Sequence, residues 1–187
     1  MVSQGQYFNP LTSLYLFPRG EDFSDVAVYE RYDDLSGVNT QYWPYGDLGG
    51  VSSQNPYWIM NRMNRENDRR RYKLAASLQY NIIEGLNVQG RVSIDNTESK
   101  YTEKFHAGTV GNFAGPKGRY KEENRLDRQV YADVLANFNK TFNEFNVTAN
   151  LGASIKDLRM ELTSLHGDLN NVTNHFTIEN LTRSGYY

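Results

Sequence analysis

This sequence predicts an all-β chain of antiparallel hairpins joined by long loops, on three observations. The first is strict alternation. In "LNVQGRVSID" (86–95), Leu86, Val88, Val92 and Ile94 are in step, Gly90 alone breaks the set, and polar residues stand between them. A period of two marks a strand with one apolar and one polar face. The second is a repeat. "LQYNIIEGLNV" and "ANFNKTFNEFNV" share a layout: an aromatic, a short turn, then an apolar-Asn-Val start. The third is that connections alternate in length, "NIIEG" and "KTFNE" being short and the polar stretch from Asn96 to about 124 long.

The elements follow in order. Residues 1–66 are rich in Tyr, Asn, Asp, Gly and Pro without sustained periodicity, and read as loop with short strands. Residues 67–160 hold two hairpins, with turns near 81–85 and 140–144 and a long loop over 96–124 between them. On "RRRYKLAASLQY", Tyr72, Leu74, Ala76, Leu78 and Tyr80 share a face; Lys73, Ala75, Ser77 and Gln79 share the other. In the second hairpin Val130, Ala132, Val134, Ala136 and Phe138 face one way. Phe145, Val147, Ala149, Leu151, Ala153 and Ile155 continue that face on the return strand. Residues 161–187 read as another loop and the start of a further strand.

Composition narrows what the apolar faces can meet. The chain has 187 residues, 13% aromatics and 14 Tyr, yet its mean hydropathy is -0.70. That length suits one domain with a real core. No window reaches the ~18 consecutive apolar residues of a membrane helix, which leaves open a barrel, whose strands are only half apolar. Tyr72 and Tyr80, eight residues apart, span about 26 Å of strand, or about 20 Å along a barrel axis at ~40° tilt. The lipid-facing band of a barrel is about 25 Å tall between aromatic girdles. A sandwich strand alternates in the same way, so pattern alone keeps both answers: lipid, or a second layer of core.

Several chemistries find little support. The net charge of -2 gives no global case for nucleic acid. The absence of cysteine rules out disulfides, Cys metal sites and thiol catalysis. His106, His166 and His175 lack metal-ligand spacing, and there is neither a Gly-x-Ser-x-Gly elbow nor a phosphate-binding glycine loop. No metal, cofactor or catalytic residue is therefore expected. Asp33-Asp34 and Glu21-Asp22 could pair for acid–base work, but solvated loop acids are the better reading. The Asn-x-Ser/Thr sequons at Asn139, Asn146, Asn171 and Asn180 are expected by chance in so Asn-rich a chain. The N-terminus has no signal-peptide pattern, so an exported chain would carry its signal upstream.

Four blocks in order carry a resemblance: "NPLTSLYLFPRGEDF", "TQYWPYGDLGG", "SSQNPYWIMNR" and "YKLAASLQYNIIEGLNVQGRVSIDN". The most specific piece is Asn55, Pro56, Tyr57 and Trp58, followed by the hairpin from Tyr80 to Arg91; "HFTIENLT" fits less specifically. Together, over about half the chain, they resemble the mid-barrel region of the SusC/RagA family, TonB-linked outer-membrane proteins of Bacteroidetes. The resemblance implies a transmembrane β-barrel with long extracellular loops, of which this chain is a fragment. It implies outer-membrane lipid, a SusD-like lipoprotein lid, TonB and an oligosaccharide or peptide substrate as partners of the parent protein. The chain lacks the family's plug and TonB-contacting segment, so alone it should form part of the importer wall and not transport. The rival readings are a secreted β-sandwich that binds glycans and, last, a glycan-degrading domain.

Within this frame two sets of residues are candidates. Tyr42, Trp43 and Tyr45 could stack on sugars or pack against a lid, with Trp43 the best contact candidate and Trp58 structural; the plainer alternative is that such rings form the loop's own small core. Pro56 pushes Asn55 toward an extended conformation, suited to leading into a strand. Arg69, Arg70 and Arg71 could meet lipopolysaccharide phosphates, which Arg matches bidentately; the plainer alternative pairs them with acids such as Glu66 and Asp68.

Overall fold

The computed structural model describes residues 9–15, 17–45 and 54–182. In order these form helix α1 (Pro10–Tyr15), a 3-10 turn (Phe23–Ala27), strands β1 (Glu30–Asp33) and β2 (Val38–Gln41), helix α2 (Pro56–Arg62), strands β3 (Met63–Ile83), β4 (Leu86–Phe105), β5 (Arg119–Phe142) and β6 (Phe145–Asp168), and a 3-10 turn (Ile178–Asn180). β1 and β2 pair antiparallel, Glu30 opposite Gln41. β3 to β6 form one four-stranded sheet in chain order. Two-residue turns join β3 to β4 and β5 to β6, so the chain is all-β and built of antiparallel hairpins. The expected start of a further strand falls partly on 183–187, and the end of "TQYWPYGDLGG" on 46–50; both lie outside the described residues.

Two compact units divide the chain. The first comprises Met1–Asn67, Tyr101–Glu123 and Ser164–Tyr187; the second Asp68–Lys100 and Asn124–Thr163.

The hairpin turns fall inside the expected windows, at 84–85 and 143–144. Gly85 has φ +85, and a Cβ there would lie 2.4 Å from the Asn139 carbonyl oxygen. The Asn139 amide donates to the Gly85 carbonyl at 2.7 Å, so the turn must approach β5 closely. Asn143 takes φ 51 in the other turn, a conformation Asn tolerates. Gly85→Ala is expected to cost about 2 kcal/mol or more, from left-handed backbone strain plus the clash. Gly90→Ala, with nothing within 4 Å of its Cβ, should be near neutral. Denaturant midpoints of the two variants would check this, and equal losses would contradict the assigned turn.

The strands run further than their apolar patterns. β4 continues to Phe105 and β5 begins at Arg119, so the connection is 106–118 and not the expected 96–124. β3 begins at Met63 and β6 ends at Asp168, outside the expected 67–160. The reason is that backbone pairing with neighbouring strands keeps a stretch extended whether or not its side chains alternate between apolar and polar. Same-face pairs tie these polar stretches instead. Tyr101 donates to Glu103 at 2.9 Å and Tyr120 to Glu122 at 2.7 Å. Burial, aided by these carboxylates, pushes both phenols up to about 12. Strands of 20 to 24 residues span about 66–80 Å, where ordinary strands have 3–10 residues.

Pro56 opens a helix, not the expected strand. Asn55 is extended, at φ -60 and ψ 123, but it leads into helix α2 rather than a strand. Its side chain caps the helix by accepting from the Tyr57 amide at 2.9 Å, and Pro56 fills the first helical position, where a missing N–H costs nothing.

Candidate functional site

The second unit carries the sheet's two chemical faces. On one, cross-strand polar pairs connect the strands. Arg71 grips Asp95 with two donors, at 2.9 and 2.5 Å. Arg91 donates to Asp133 at 2.9 Å, and Asn137 to Asn87 at 2.9 Å. On the other face the apolar residues stand exposed: Leu74, Leu78, Val92, Ile94, Val134, Val147, Leu151 and Ile155, with Leu78 at 76% and Leu151 at 79%. Isolated exposed apolar residues mean little, but a stripe shared by four neighbouring strands marks an interaction surface.

That stripe is bounded at both ends. Toward the turns stand exposed Tyr80, Phe142 and Phe145. At the far end Tyr72 is exposed, and its hydroxyl accepts from Asn96 at 2.6 Å. An aromatic body with a hydrogen-bonded polar tip suits a boundary between apolar and wet surroundings. Beyond it the same face turns charged, with Asp68, Arg70, Glu98 and Lys100 on β3 and β4 and Glu161 on β6. Among the described residues no helix is long and apolar enough to cross a membrane, which does not bear on strands.

The basic run divides between the faces. Arg71 lies on the polar face with Asp95. Alternation puts Arg69 on that face too. Only Arg70 shares the face of the apolar stripe, paired with Asp68 at 3.1 Å. The three therefore cannot act as one phosphate-binding cluster.

In the first unit the aromatic loop packs inward. Trp43 is 4% exposed. It lies edge-on to Tyr45, at 5.5 Å, and beside Phe17, at 6.5 Å. Tyr45 packs edge-on to Phe17 at 4.9 Å and donates to Asp25 at 3.4 Å. The face of Tyr42 is covered by the Arg31 guanidinium at 3.4 Å. The expectation of Trp43 as a contact residue is thus corrected: a loop this long must make its own core, and the indole is part of it.

Asn55, Pro56, Tyr57 and Trp58 form the centre of this unit. Asn55, fully buried, bonds through every polar group of its side chain. Its amide nitrogen donates to the Val26 carbonyl at 2.9 Å and the Tyr42 carbonyl at 3.1 Å, while its oxygen caps α2. Its backbone N–H donates to Gln41 at 3.1 Å. One residue thus ties the 3-10 turn, the end of β2 and α2 together. Tyr57 stacks on Tyr29 at 6.5 Å. Trp58, at 0% exposure, packs with Ile59, Met63, Phe105 and Ala114, and its indole N–H donates to Thr109 at 3.1 Å. At the end of α2, Arg62 grips Glu30 at 2.8 and 2.9 Å.

Three of the titratable candidates, Asp33, Asp22 and His106, have structural employment. Asp33 accepts from the amides of Leu35 and Ser36 and, at 2.7 Å, from the Ser36 hydroxyl; this hydroxyl above all holds its carboxyl below the usual range. Asp22 caps the 3-10 turn through the Ser24 amide, which lowers it likewise. His106 is half-buried against Phe176, its Nδ1 within 3.0 Å of the Arg62 carbonyl, and burial holds its pKa down. No cluster of three potential metal ligands occurs among the described residues. Of the sequon asparagines, Asn180 is buried, accepting from Asn171 and Val172 and donating to Val172 and His175.

Sequence reasoning missed the hub role of Asn55. The available signal was Asn-Pro ahead of "YWIMNR", a capping residue followed by a proline at the first helical position. No protein-family model matches the chain, and no curated protein matches it either.

Proposed function

We propose that the chain is a wall segment of a TonB-dependent outer-membrane importer of the SusC/RagA type. The parent takes up oligosaccharides or peptides beneath a SusD-like lipoprotein lid, and this segment alone does not transport. The reading is carried by one observation: an exposed apolar stripe on four neighbouring strands, bracketed by aromatics, with its polar pairs on the opposite face. A barrel strand needs about 9–11 residues to cross a bilayer, and each of these strands has room to cross and continue into water. Burial of Trp43 moves any lid or ligand contact away from that ring.

Topology tests the proposal. The turns at 84–85 and 143–144 would be periplasmic and the 106–118 connection extracellular. A protease site inserted beside Gly111, whose surroundings are open, should be cleaved on intact cells. Sites beside Glu84 or Asn143 should be cut only after the outer membrane is breached. Gly115 is a poorer insertion point, because its amide donates to Asp168 at 3.1 Å. Cleavage of the short turns on intact cells would reverse the orientation. Secretion of the chain as a detergent-free, cooperatively melting domain would favour a sandwich instead.

A further inference from the structure

Just past the apolar stripe, on the same face, Asp68, Arg70, Glu98, Lys100 and Glu161 line one concavity that runs across the second unit's strands. Its charges are mixed: with Arg125 of β5, which also lines it, three cations stand among three carboxylates. A simple anionic headgroup would meet repulsion there, and so would a simple cationic one. A headgroup that presents phosphate beside hydroxyls meets complementary partners: Arg and Lys for the phosphate, carboxylates as acceptors for the hydroxyls. The internal pairing is exchangeable. Arg70 pairs with Asp68, and Glu161 with Arg159 at 2.7 Å, each pair two residues apart on one strand with both side chains more than half exposed, and such surface pairs contribute little. The groove is also continuous with the stripe, so acyl chains of a lipid seated there would lie along Leu74 and Leu78.

We infer that this groove binds the phosphorylated sugar headgroup of a glycolipid in the surrounding membrane, with Arg70 and Lys100 on the phosphate and Glu98 and Glu161 on the hydroxyls. The inference rests on the membrane reading above. It replaces the run of three arginines by one arginine and residues brought to it from neighbouring strands.

The test uses the intact parent protein reconstituted in phosphatidylcholine vesicles that contain a small fraction of either lipid A or phosphatidic acid, whose phosphate has no hydroxyls beside it. Flotation with the vesicles reports membrane insertion, and native mass spectrometry reports which lipid is retained. Wild type should retain lipid A about tenfold better than phosphatidic acid, the size of one charged hydrogen bond. Arg70→Gln with Lys100→Gln should lose about that tenfold while floating normally. Glu98→Gln with Glu161→Gln should narrow the preference by raising phosphatidic acid retention. If wild type floats but shows no preference, or the cation pair changes nothing, the groove is not a headgroup site. If the acid pair changes nothing, the recognition of sugar hydroxyls is wrong. If wild type does not float, the membrane reading itself falls.

Discussion

Trp58→Ala is expected to cost about 3–5 kcal/mol, the range for a fully buried aromatic whose cavity cannot collapse. The indole is 0% exposed, it touches residues from α2, β4 and the 106–118 connection, and its N–H satisfies Thr109. Asn55→Asp should come close to it. Aspartate keeps the cap on α2 but removes both side-chain donors, leaving the Val26 and Tyr42 carbonyls unsatisfied and a carboxylate facing them. Each buried unsatisfied group costs about 1–3 kcal/mol, more when charged. Asn55→Ala should fall below Asn55→Asp, because it loses the same donors and the cap but buries no charge. Chemical denaturation followed by tryptophan fluorescence would rank the two Asn55 variants, and hydrogen exchange would follow Trp58→Ala. An Asn55→Asp variant as stable as wild type would mean that its amide does not hold the loops together.

Arginine in place of Leu78 is expected to cost the parent protein about 2–4 kcal/mol if the stripe meets lipid, with a dependence on depth that a protein core lacks. Leu78 lies between Tyr72 and Tyr80 along β3, two residues from their midpoint at Ala76. Arginine at Ile82, past the turn-side aromatic Tyr80, should cost only about 0–1 kcal/mol. Val134→Arg on β5 should behave like Leu78→Arg. The same change at Gln79, on the opposite face, should cost much less. Asn137 is a poorer control than its position suggests, because it bonds to Asn87 across the strands. The fraction of heat-modifiable barrel on a gel, followed through urea titration, would give the ranking. Equal losses at Leu78, Ile82 and Gln79 would count against lipid on that face.

By itself the sequence determined what repeats locally. Alternation depends only on neighbours two residues apart, so the four strands, their apolar faces and the position of both turns were legible from Tyr72 to Ile155. The same alternation, continued upward from Tyr72, already separates Arg70 from Arg69 and Arg71. Tertiary structure decided what depends on distant partners. Strand ends were one such case: residues 96–105 and 119–128 carry no apolar stripe, and only the ladder of neighbouring strands keeps them extended. Burial of the loop aromatics was another. Nothing local distinguishes Trp43 from an exposed ring, and its burial follows from Phe17 and Tyr45 closing over it. Asn55 is the clearest example. Its capping role was written in the dipeptide with Pro56, but its two remaining bonds reach residues 13 and 29 positions away. The charged groove is of the same kind, since its residues come from different strands and become neighbours only when the sheet sets their register.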